Sequence, residues 1–212
     1  MPTTTIIFDY GCVLSLAPTL EDYGVLRKAI GAEASAFQQM YWRERDAYDR
    51  DALDNAAYWQ KVALAGGIPF SKEQLKEWST LDCQMWDRPN AIMVDWVRVL
   101  RRRGLKTAVL SNMSRYVSGY LRQQAHWLGL FDHLCFSGEL GIVKPSPAIY
   151  NVCLEALDVP ASQALFIDDR EINIKGARAV GIRGILFRSV EHLARDLEPY
   201  GLAESLAEAH KK

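Results

Sequence analysis

The sequence predicts an α/β fold with a Rossmann-like, mostly parallel sheet of five or more strands and helices on both faces. Five short runs of apolar, often β-branched residues are typical of strands buried on both faces. Amphipathic helical patterns alternate with these runs through the C-terminal two-thirds of the chain, as expected for parallel strands joined by helices. Residues 15–88 contain no convincing strand, which predicts a small helical cap inserted after the first strand.

The predicted strands lie at residues 5–8, 107–110, 134–136, 164–167 and 184–187. One predicted helix covers residues 91–103, ends at Gly104, and turns inward Ile92, Trp96, Val99 and Leu100. Another begins at Pro147, behind Ser146 as N-cap, and buries one face formed by Ile149, Val152, Cys153, Ala156 and Leu157.

The length indicates one domain and part of a second. The chain has 212 residues, which is roughly 1.4 domains at about 150 residues each. We assign residues 1–14 and 89–212 to the core domain and residues 15–88 to the cap, so the core is discontinuous in sequence. Hydrophobic residues make up 49% and charged residues 24%, which is typical of a globular protein rather than a disordered or fibrous one.

The charge balance argues against nucleic acid or a membrane as partner. Lys and Arg number 25 and Asp and Glu 26, giving a net charge of −1, so an anionic ligand must bind at a local site. The four cysteines have no metal-binding spacing and are expected to be reduced thiols. Residues 1–9 lack a basic segment and do not resemble a signal peptide, so we expect a cytoplasmic protein.

Polar residues follow four of the predicted strands, where ligands of open α/β sheets bind. In chain order they are Asp9, the pair Ser111 and Asn112, then Lys144, and last the pair Asp168 and Asp169 with Asn173. Each alone is more often a turn residue, a helix cap or a surface charge. Two adjacent carboxylates at the end of a buried strand, however, repel each other unless a cation neutralises them. Their joint occurrence therefore favours a functional site.

These residues resemble the four motifs of the haloacid-dehalogenase-like (HAD) hydrolase superfamily over essentially the whole chain. Motif I is similar to IIFDYGCVL at residues 6–14, motif II to VLSN at residues 109–112 and motif III to Lys144-Pro145. Motif IV is similar to FIDD at residues 166–169, with Asn173 four residues later. The stretch SGELGIVKP at residues 137–145 resembles a subfamily that contains sugar-phosphate phosphatases such as α-D-glucose-1-phosphate phosphatase.

The resemblance implies a Mg²⁺-dependent phosphatase of small phosphorylated metabolites, with sugar phosphates expected as substrates. Asp9 would attack phosphorus and form an aspartyl-phosphate intermediate. Lys144 would hold Asp9 and neutralise the phosphate, and Ser111 would donate to a phosphoryl oxygen, with Asn112 also in the substrate site. The implied metal residues are Asp9, the Gly11 carbonyl and Asp169, oriented by Asp168 and Asn173.

One residue departs from the usual phosphatase pattern. Gly11 occupies the position where most members carry a second aspartate as general acid and base. Loss of such a group typically lowers the rate by about 10²–10⁴-fold. Two alternatives therefore stay open, a 2-haloacid dehalogenase and a catalytically weakened domain with a binding or regulatory role. The Asp168-Asp169 pair argues against the dehalogenase, because the resemblance implies that those enzymes lack it.

The cap is expected to select the substrate. Its aromatic and guanidinium groups suit stacking on a sugar and bonding to hydroxyls, and we single out Trp42 and Arg45 as substrate-binding residues. The alternative is that the aromatic residues of this segment pack its small core. The expected partner is a small phosphorylated molecule, and the protein is expected to be a monomer or a homodimer.

Overall fold

The computed structural model describes residues 2–209 and has a single five-stranded sheet in that part of the chain. All strand pairs are parallel, in the order β3-β2-β1-β4-β5. The strands are β1 (Thr5–Phe8), β2 (Lys106–Ser111), β3 (His133–Phe136), β4 (Ala164–Asp168) and β5 (Arg183–Leu186). The predicted fold class and all five predicted strands are confirmed.

Twelve α-helices occur within residues 2–209, and the first five of them lie between β1 and residue 89. Those five are α1 (Leu20–Ile30), α2 (Ala34–Arg43), α3 (Arg45–Asp49), α4 (Asn55–Ala65) and α5 (Lys72–Trp86). The others are α6 (Ala91–Arg102), α7 (Arg115–Gln124), α8 (Ser137–Leu140), α9 (Pro147–Leu157), α10 (Glu171–Ala179), α11 (Val190–Asp196) and α12 (Ala203–Ala209).

Two apolar clusters cover the two faces of the sheet. On one face, α6 packs against β1 and β2 and α12 packs against α6, with Trp96 fully buried beside Phe8 at a ring-centroid distance of 5.5 Å. On the other face, α9 and α10 pack against β2 and β4, and the Tyr150 ring of α9 meets Phe166 edge-on at 5.7 Å. The layered arrangement leaves the strand ends as the place where a cavity can form.

The helix α9 begins at Pro147 with Ser146 at the N-cap position, as predicted, although the Ser146 side chain makes no capping hydrogen bond. The predicted buried face of α9 is wrong in part. The buried face includes Tyr150 and Leu154, whereas Ala156 is exposed. Tyr150 is turned inward because its hydroxyl donates to the Asn173 carbonyl at 2.8 Å, across to α10.

The helices α1 to α5, here called the helical insertion, have an apolar cluster of their own. Its centre is aromatic and includes the fully buried side chains of Tyr41, Tyr58, Trp59 and Trp78. The chain leaves and re-enters the core at adjacent points, since the Leu16 N–H donates to the Arg88 carbonyl at 2.7 Å. No helix within the described residues is both long and apolar enough to cross a bilayer.

Candidate active site

A cavity of about 470 Å³ lies between the carboxyl ends of β1, β2 and β4 and the helical insertion. The core contributes charged and polar side chains, and the insertion contributes aromatic ones together with a guanidinium and two carboxyl groups. Among its lining residues are Asp9, Ser111, Asn112, Lys144, Asp169 and Asn173 from the core and Tyr23, Trp42, Arg45, Asp46, Asp49 and Trp86 from the insertion. The structure therefore gathers the predicted strand-end residues around one space.

Asp9 directly follows β1, and a wide turn begins immediately after it. Its N–H donates to the Ile167 carbonyl of β4 at 2.8 Å. Its Oδ1 accepts the Tyr10 N–H at 2.7 Å and lies 2.9 Å from the Lys144 Nζ. Within the described residues no hydrogen bond is made to Oδ2, so one carboxylate oxygen of Asp9 is free of protein partners.

Burial raises the pKa of Asp9 to about 7. The Lys144 ammonium opposes this rise, whereas the charges of Asp168 and Asp169 add to it. A cation placed among these carboxylates would lower the pKa of Asp9 again, because opposite charge favours the ionised form. The site as built by the protein alone therefore has an excess of negative charge.

Lys144 is almost fully buried and bridges two carboxylates. Its Nζ lies 2.9 Å from Asp9 and 2.6 Å from Asp168. Burial alone would lower the pKa of Lys144, but the two carboxylates raise it above its ordinary value, so the ammonium stays charged. The backbone of Lys144 is fixed by Asn112, whose amide accepts its N–H at 2.7 Å and donates to its carbonyl at 3.0 Å.

Asp168 is fully enclosed and uses both of its oxygens inside the protein. The Asn173 amide donates to both oxygens at 3.0 Å, and the Arg170 N–H donates to Oδ1 at 2.8 Å. Together with the Lys144 ammonium, these donors fix the carboxylate in one orientation. Asp168 is thus bound on every side, in contrast to Asp9.

The residues at this edge fit a hard divalent cation. Oxygen atoms of Asp9, Asp168 and Asp169 lie within 4.8 Å of one another. Three carboxylates face one lysine, so two negative charges remain for one divalent ion to balance. The Oδ1 atom of Asn173 is buried beside them without a hydrogen-bond partner. An all-oxygen donor set of this kind is what Mg²⁺ prefers.

The turn after Asp9 brings Gly11 and Cys12 to the cavity wall. A Cβ on Gly11 would lie 3.3 Å from the Trp86 ring, so the insertion closes directly over this position. Cys12 has a positive φ of 60°. Burial raises the pKa of its thiol to about 12, with the charge of Asp169 as a further cause. The thiol is therefore protonated at neutral pH and is a poor nucleophile.

The other predicted substrate-site residues also line the cavity, with different environments. Ser111 ends β2, and within residues 2–209 its hydroxyl makes no hydrogen bond to the protein. Trp42 is 44% exposed and donates its ring N–H to Gln38 at 2.9 Å. Arg45 is buried, and its guanidinium group is shared by Asp49 and Asp82 at 3.1 Å each.

The sequence alone does not single out the acidic residues of the insertion that face the cavity. Asp46 and Asp49 both lie on the short helix α3 and line the cavity wall. A local signal was present, because Arg45 and Asp49 are four residues apart and such a pair lies on one helix face. Their position in the cavity that Asp9 also lines depends on long-range packing, which the spacing does not indicate.

A sequence profile of the haloacid dehalogenase-like hydrolases matches residues 5–181. The parallel sheet, the acidic cluster at its edge and this match define a hydrolase class. The chain belongs to the haloacid dehalogenase-like hydrolase family.

One curated relative is similar over most of its length. It is the sesquiterpene phosphatase astK of Aspergillus oryzae, 26% identical over 179 residues, which are 84% of this chain and 87% of that protein. Two other curated relatives match over a smaller part of their own length. The matched part is 10% of acyl-CoA dehydrogenase family member 10 of Mus musculus and 49% of phosphatase MT3486 of Mycobacterium tuberculosis.

Two solved structures are similar in fold. One is the HAD family enzyme bt-2542 of Bacteroides thetaiotaomicron, an Asp-to-Ala mutant in complex with magnesium and inorganic phosphate, at a TM-score of 0.72 and 18% identity over 90% of this chain and 98% of that one. The other is an L-2-haloacid dehalogenase of Xanthobacter autotrophicus with chloropropionic acid covalently bound. Its TM-score is 0.68 at 19% identity over 93% of this chain and 83% of that one. At these identities the likeness concerns the fold.

Proposed function

We propose that this hydrolase is a Mg²⁺-dependent phosphatase of small phosphorylated metabolites, with Asp9 as nucleophile. The observation that carries the proposal is the charge arrangement at the sheet edge, where three carboxylates lie within 4.8 Å of one another and a single buried lysine pairs with two of them. A dehalogenation on carbon does not need a divalent cation, whereas two anions that react with each other do. The phosphatase astK and the magnesium and phosphate complex of bt-2542 support the same choice.

Asp9 is poised to attack through Oδ2. Its Oδ1 is held by the Tyr10 N–H and the Lys144 ammonium, which leaves Oδ2 as the oxygen without a protein partner. Attack forms a bond between Oδ2 and phosphorus while the bond from phosphorus to the ester oxygen breaks. Water then releases phosphate from the aspartyl-phosphate and restores the carboxylate.

The remaining residues of the site would position the reacting groups and neutralise their charge. Lys144 and the Ser111 hydroxyl would contact phosphoryl oxygens, and Asn112 would hold the backbone of Lys144. Asp9, Asp169 and the Gly11 carbonyl would hold Mg²⁺, oriented by Asp168 and Asn173. When bound, the ion supplies positive charge for the transferring phosphoryl group. Such fixed charges contribute most of the rate gain in this kind of transfer.

For the substrate we propose a sugar phosphate, in line with the resemblance to α-D-glucose-1-phosphate phosphatase. A cavity of about 470 Å³ is large enough for a monosaccharide phosphate. The exposed ring of Trp42 offers an apolar face to the sugar. The guanidinium group of Arg45 is paired with two carboxylates, so we propose that Arg45 positions these carboxylates and does not bind the sugar directly. A cytoplasmic location remains part of the proposal.

The test is phosphate release from a panel of phosphomonoesters that includes hexose 1-phosphates. We expect release with Mg²⁺, none after EDTA, and a loss on the order of 10⁴–10⁶-fold in Asp9→Asn. Asp95→Asn, on the exposed face of α6, is the matched control and should retain full activity. Trapping with beryllium fluoride should succeed in the wild type and fail in Asp9→Asn.

Two results would overturn the proposal in different directions. Halide release from 2-chloropropionate that survives EDTA would assign the protein to the dehalogenases. Failure to release phosphate from any ester, together with failure to trap beryllium fluoride, would leave a binding or regulatory domain.

A further inference from the structure

Cleavage of an alkyl phosphate needs a proton for the departing oxygen, and the residues around Asp9 do not supply one. Asp9 is the attacking group, and Lys144 is already shared by two carboxylates. Gly11 has no side chain, and the Cys12 thiol holds its proton too tightly, since burial raises its pKa to about 12. Efficient proton donation requires a group whose pKa lies near the working pH.

Asp49 lines the same cavity from the helical insertion, at the C-terminal end of α3. Its backbone is fixed to the core at the strand ends. The Asp49 carbonyl accepts the Ser137 hydroxyl at 2.5 Å, and the same hydroxyl oxygen accepts the Met113 N–H at 2.9 Å. Met113 follows Ser111 by two residues, so this contact holds Asp49 beside the end of β2.

A second contact fixes the same segment. Asp51, two residues after Asp49, forms an ion pair with Arg115 at the start of α7, at 3.1 Å. The φ of Asp51 is 61°, which turns the chain sharply out of α3. Both ends of the turn that carries Asp49 are therefore tied to the core rather than only to the insertion.

The carboxyl group of Asp49 is only partly neutralised. It is 8% exposed, and its Oδ1 accepts the Arg45 Nε at 3.1 Å. Within the described residues no hydrogen bond is made to its Oδ2. Arg45 also donates to both oxygens of Asp82 at 3.1 Å, so one guanidinium serves two buried carboxylates.

Burial favours the protonated form of Asp49. Burial is the largest cause and raises the pKa of Asp49 to about 7, against the opposing effect of Arg45 and with the added effect of Asp82. Asp46 on the same helix adds a smaller upward effect. The core side of α3 presents Ser137, which does not titrate in this range. A carboxyl group in this setting can both give and take a proton near neutral pH.

We propose that Asp49 is the general acid and base of the reaction, acting from the helical insertion on the cavity that Asp9 also lines. This inference rests on the proposed phosphatase function. As Asp9 forms its bond to phosphorus, the ester oxygen departs with the bonding electron pair and takes the proton of the Asp49 carboxyl, leaving as an alcohol. The Asp49 carboxylate then accepts a proton from the water that attacks the aspartyl-phosphate, so Asp49 returns to its protonated form. Arg45 is a positioning residue that holds Asp49 through Oδ1.

Comparing esters with different leaving groups distinguishes proton donation by Asp49 from a structural role of this residue. With an alkyl phosphate such as a hexose 6-phosphate, we expect Asp49→Asn to lower kcat by about 10²–10⁴-fold. With p-nitrophenyl phosphate the leaving phenolate needs no proton. The rate of the first step, which forms the aspartyl-phosphate and is measured as the initial burst of nitrophenolate, should therefore change less than about 10-fold. Retained hydrolysis of the aryl ester also proves that the variant folds.

Glu77→Gln is the control, because it removes one exposed carboxyl group from α5 in the same insertion without touching the cavity. It is expected to change the rates on the two esters by the same factor. The wild-type pH profile is a second measurement that does not depend on any variant. For the alkyl ester, kcat should fall on the alkaline side as Asp49 loses its proton, and this fall should be absent for the aryl ester.

Equal losses of the first-step rate on the two esters in Asp49→Asn, or an alkaline limb of the same size for both in that step, would overturn the role of Asp49. An unchanged rate on the alkyl ester would overturn it as well. In each of these cases the wild type still releases phosphate. A wild type that releases phosphate from neither ester would instead contradict the proposed function itself.

Discussion

The core and the helical insertion each contain a buried cation between two carboxylates, and the two clusters open on the same cavity. In the core, Lys144 lies between Asp9 and Asp168, at 2.9 Å and 2.6 Å. In each cluster one carboxylate is fully enclosed and the other borders the cavity. Asp9, the bordering member in the core, is 7% exposed, and burial raises its pKa to about 7.

The insertion repeats this arrangement with an arginine. Arg45 lies between Asp82, which is fully buried, and Asp49, which is 8% exposed. Burial raises the pKa of Asp49 to about 7 as well. The two clusters differ in the number of negative charges that the central cation leaves unbalanced. Asp169 gives the core cluster a third carboxylate, whereas the insertion cluster has only two. The first excess suits a divalent ion and the second a single proton, so under the two proposals similar clusters would serve two different cations.

Removing the central cation of each cluster should give the largest changes in stability. Lys144→Met and Arg45→Met each leave two buried carboxylates without their partner, and we expect the free energy of unfolding to fall by about 3–5 kcal/mol in both. Mg²⁺ should restore part of the loss in Lys144→Met, because the ion can replace the missing charge. Urea unfolding with and without Mg²⁺ measures both effects. Equal restoration in Arg45→Met would erase the proposed difference between the clusters.

Metal binding should stabilise the protein through the core cluster alone. At a Mg²⁺ concentration of about 100 times Kd, the free energy of unfolding of the wild type should rise by about 2.7 kcal/mol. Asp169→Asn should lose most of this gain at the same concentration, whereas Asp49→Asn should keep it. Thermal unfolding scans at matched ionic strength provide the measurement. A gain of the same size in all three proteins would place the ion elsewhere.

The smallest expected effect is a pH dependence that belongs to the insertion. Because the pKa of Asp49 is raised from its ordinary 3.8 to about 7, the folded protein binds more protons than the unfolded chain between these values. Its contribution to stability should therefore fall as pH rises towards 7, by at most about 1.4 kcal/mol per pH unit, and level off above.

Urea unfolding of the wild type and Asp49→Asn, both in saturating Mg²⁺, isolates this contribution. The stability difference between the two proteins should change between about pH 5 and about pH 7 and then stay constant. A difference that does not vary with pH would mean that Asp49 is ionised throughout.

The sheet could be predicted closely because its strands are buried on both faces. Such strands are continuous apolar runs, and the predicted boundaries differ from the observed ones by no more than one residue at either end of each strand. The helix α9 shows the limit of this approach. Its apolar residues could be assigned to a helix, but Tyr150 is buried through a hydrogen bond to Asn173, a partner that helical periodicity cannot indicate.

The site residues likewise include some that could be predicted from the sequence and one that could not. Asp9, Ser111 and Asp168 could be located because the ends of parallel strands meet at one edge. Asp49 could not, because its position depends on the Ser137 hydroxyl, 88 residues further along the chain. Its pairing with Arg45 is local, but the cavity that the pair borders is formed only when the insertion packs on the core.

The place of β1 at the centre of the sheet has a consequence for the order of assembly during synthesis. Thr5 pairs with Lys106 on one side and with Ala164 on the other, so both neighbours of the first strand are translated long after it. The helical insertion, with its own aromatic cluster, emerges complete before either neighbour exists. The helix that carries Asp49 can therefore form before the strands that surround Asp9 exist, and the two sides of the cavity meet only late in folding.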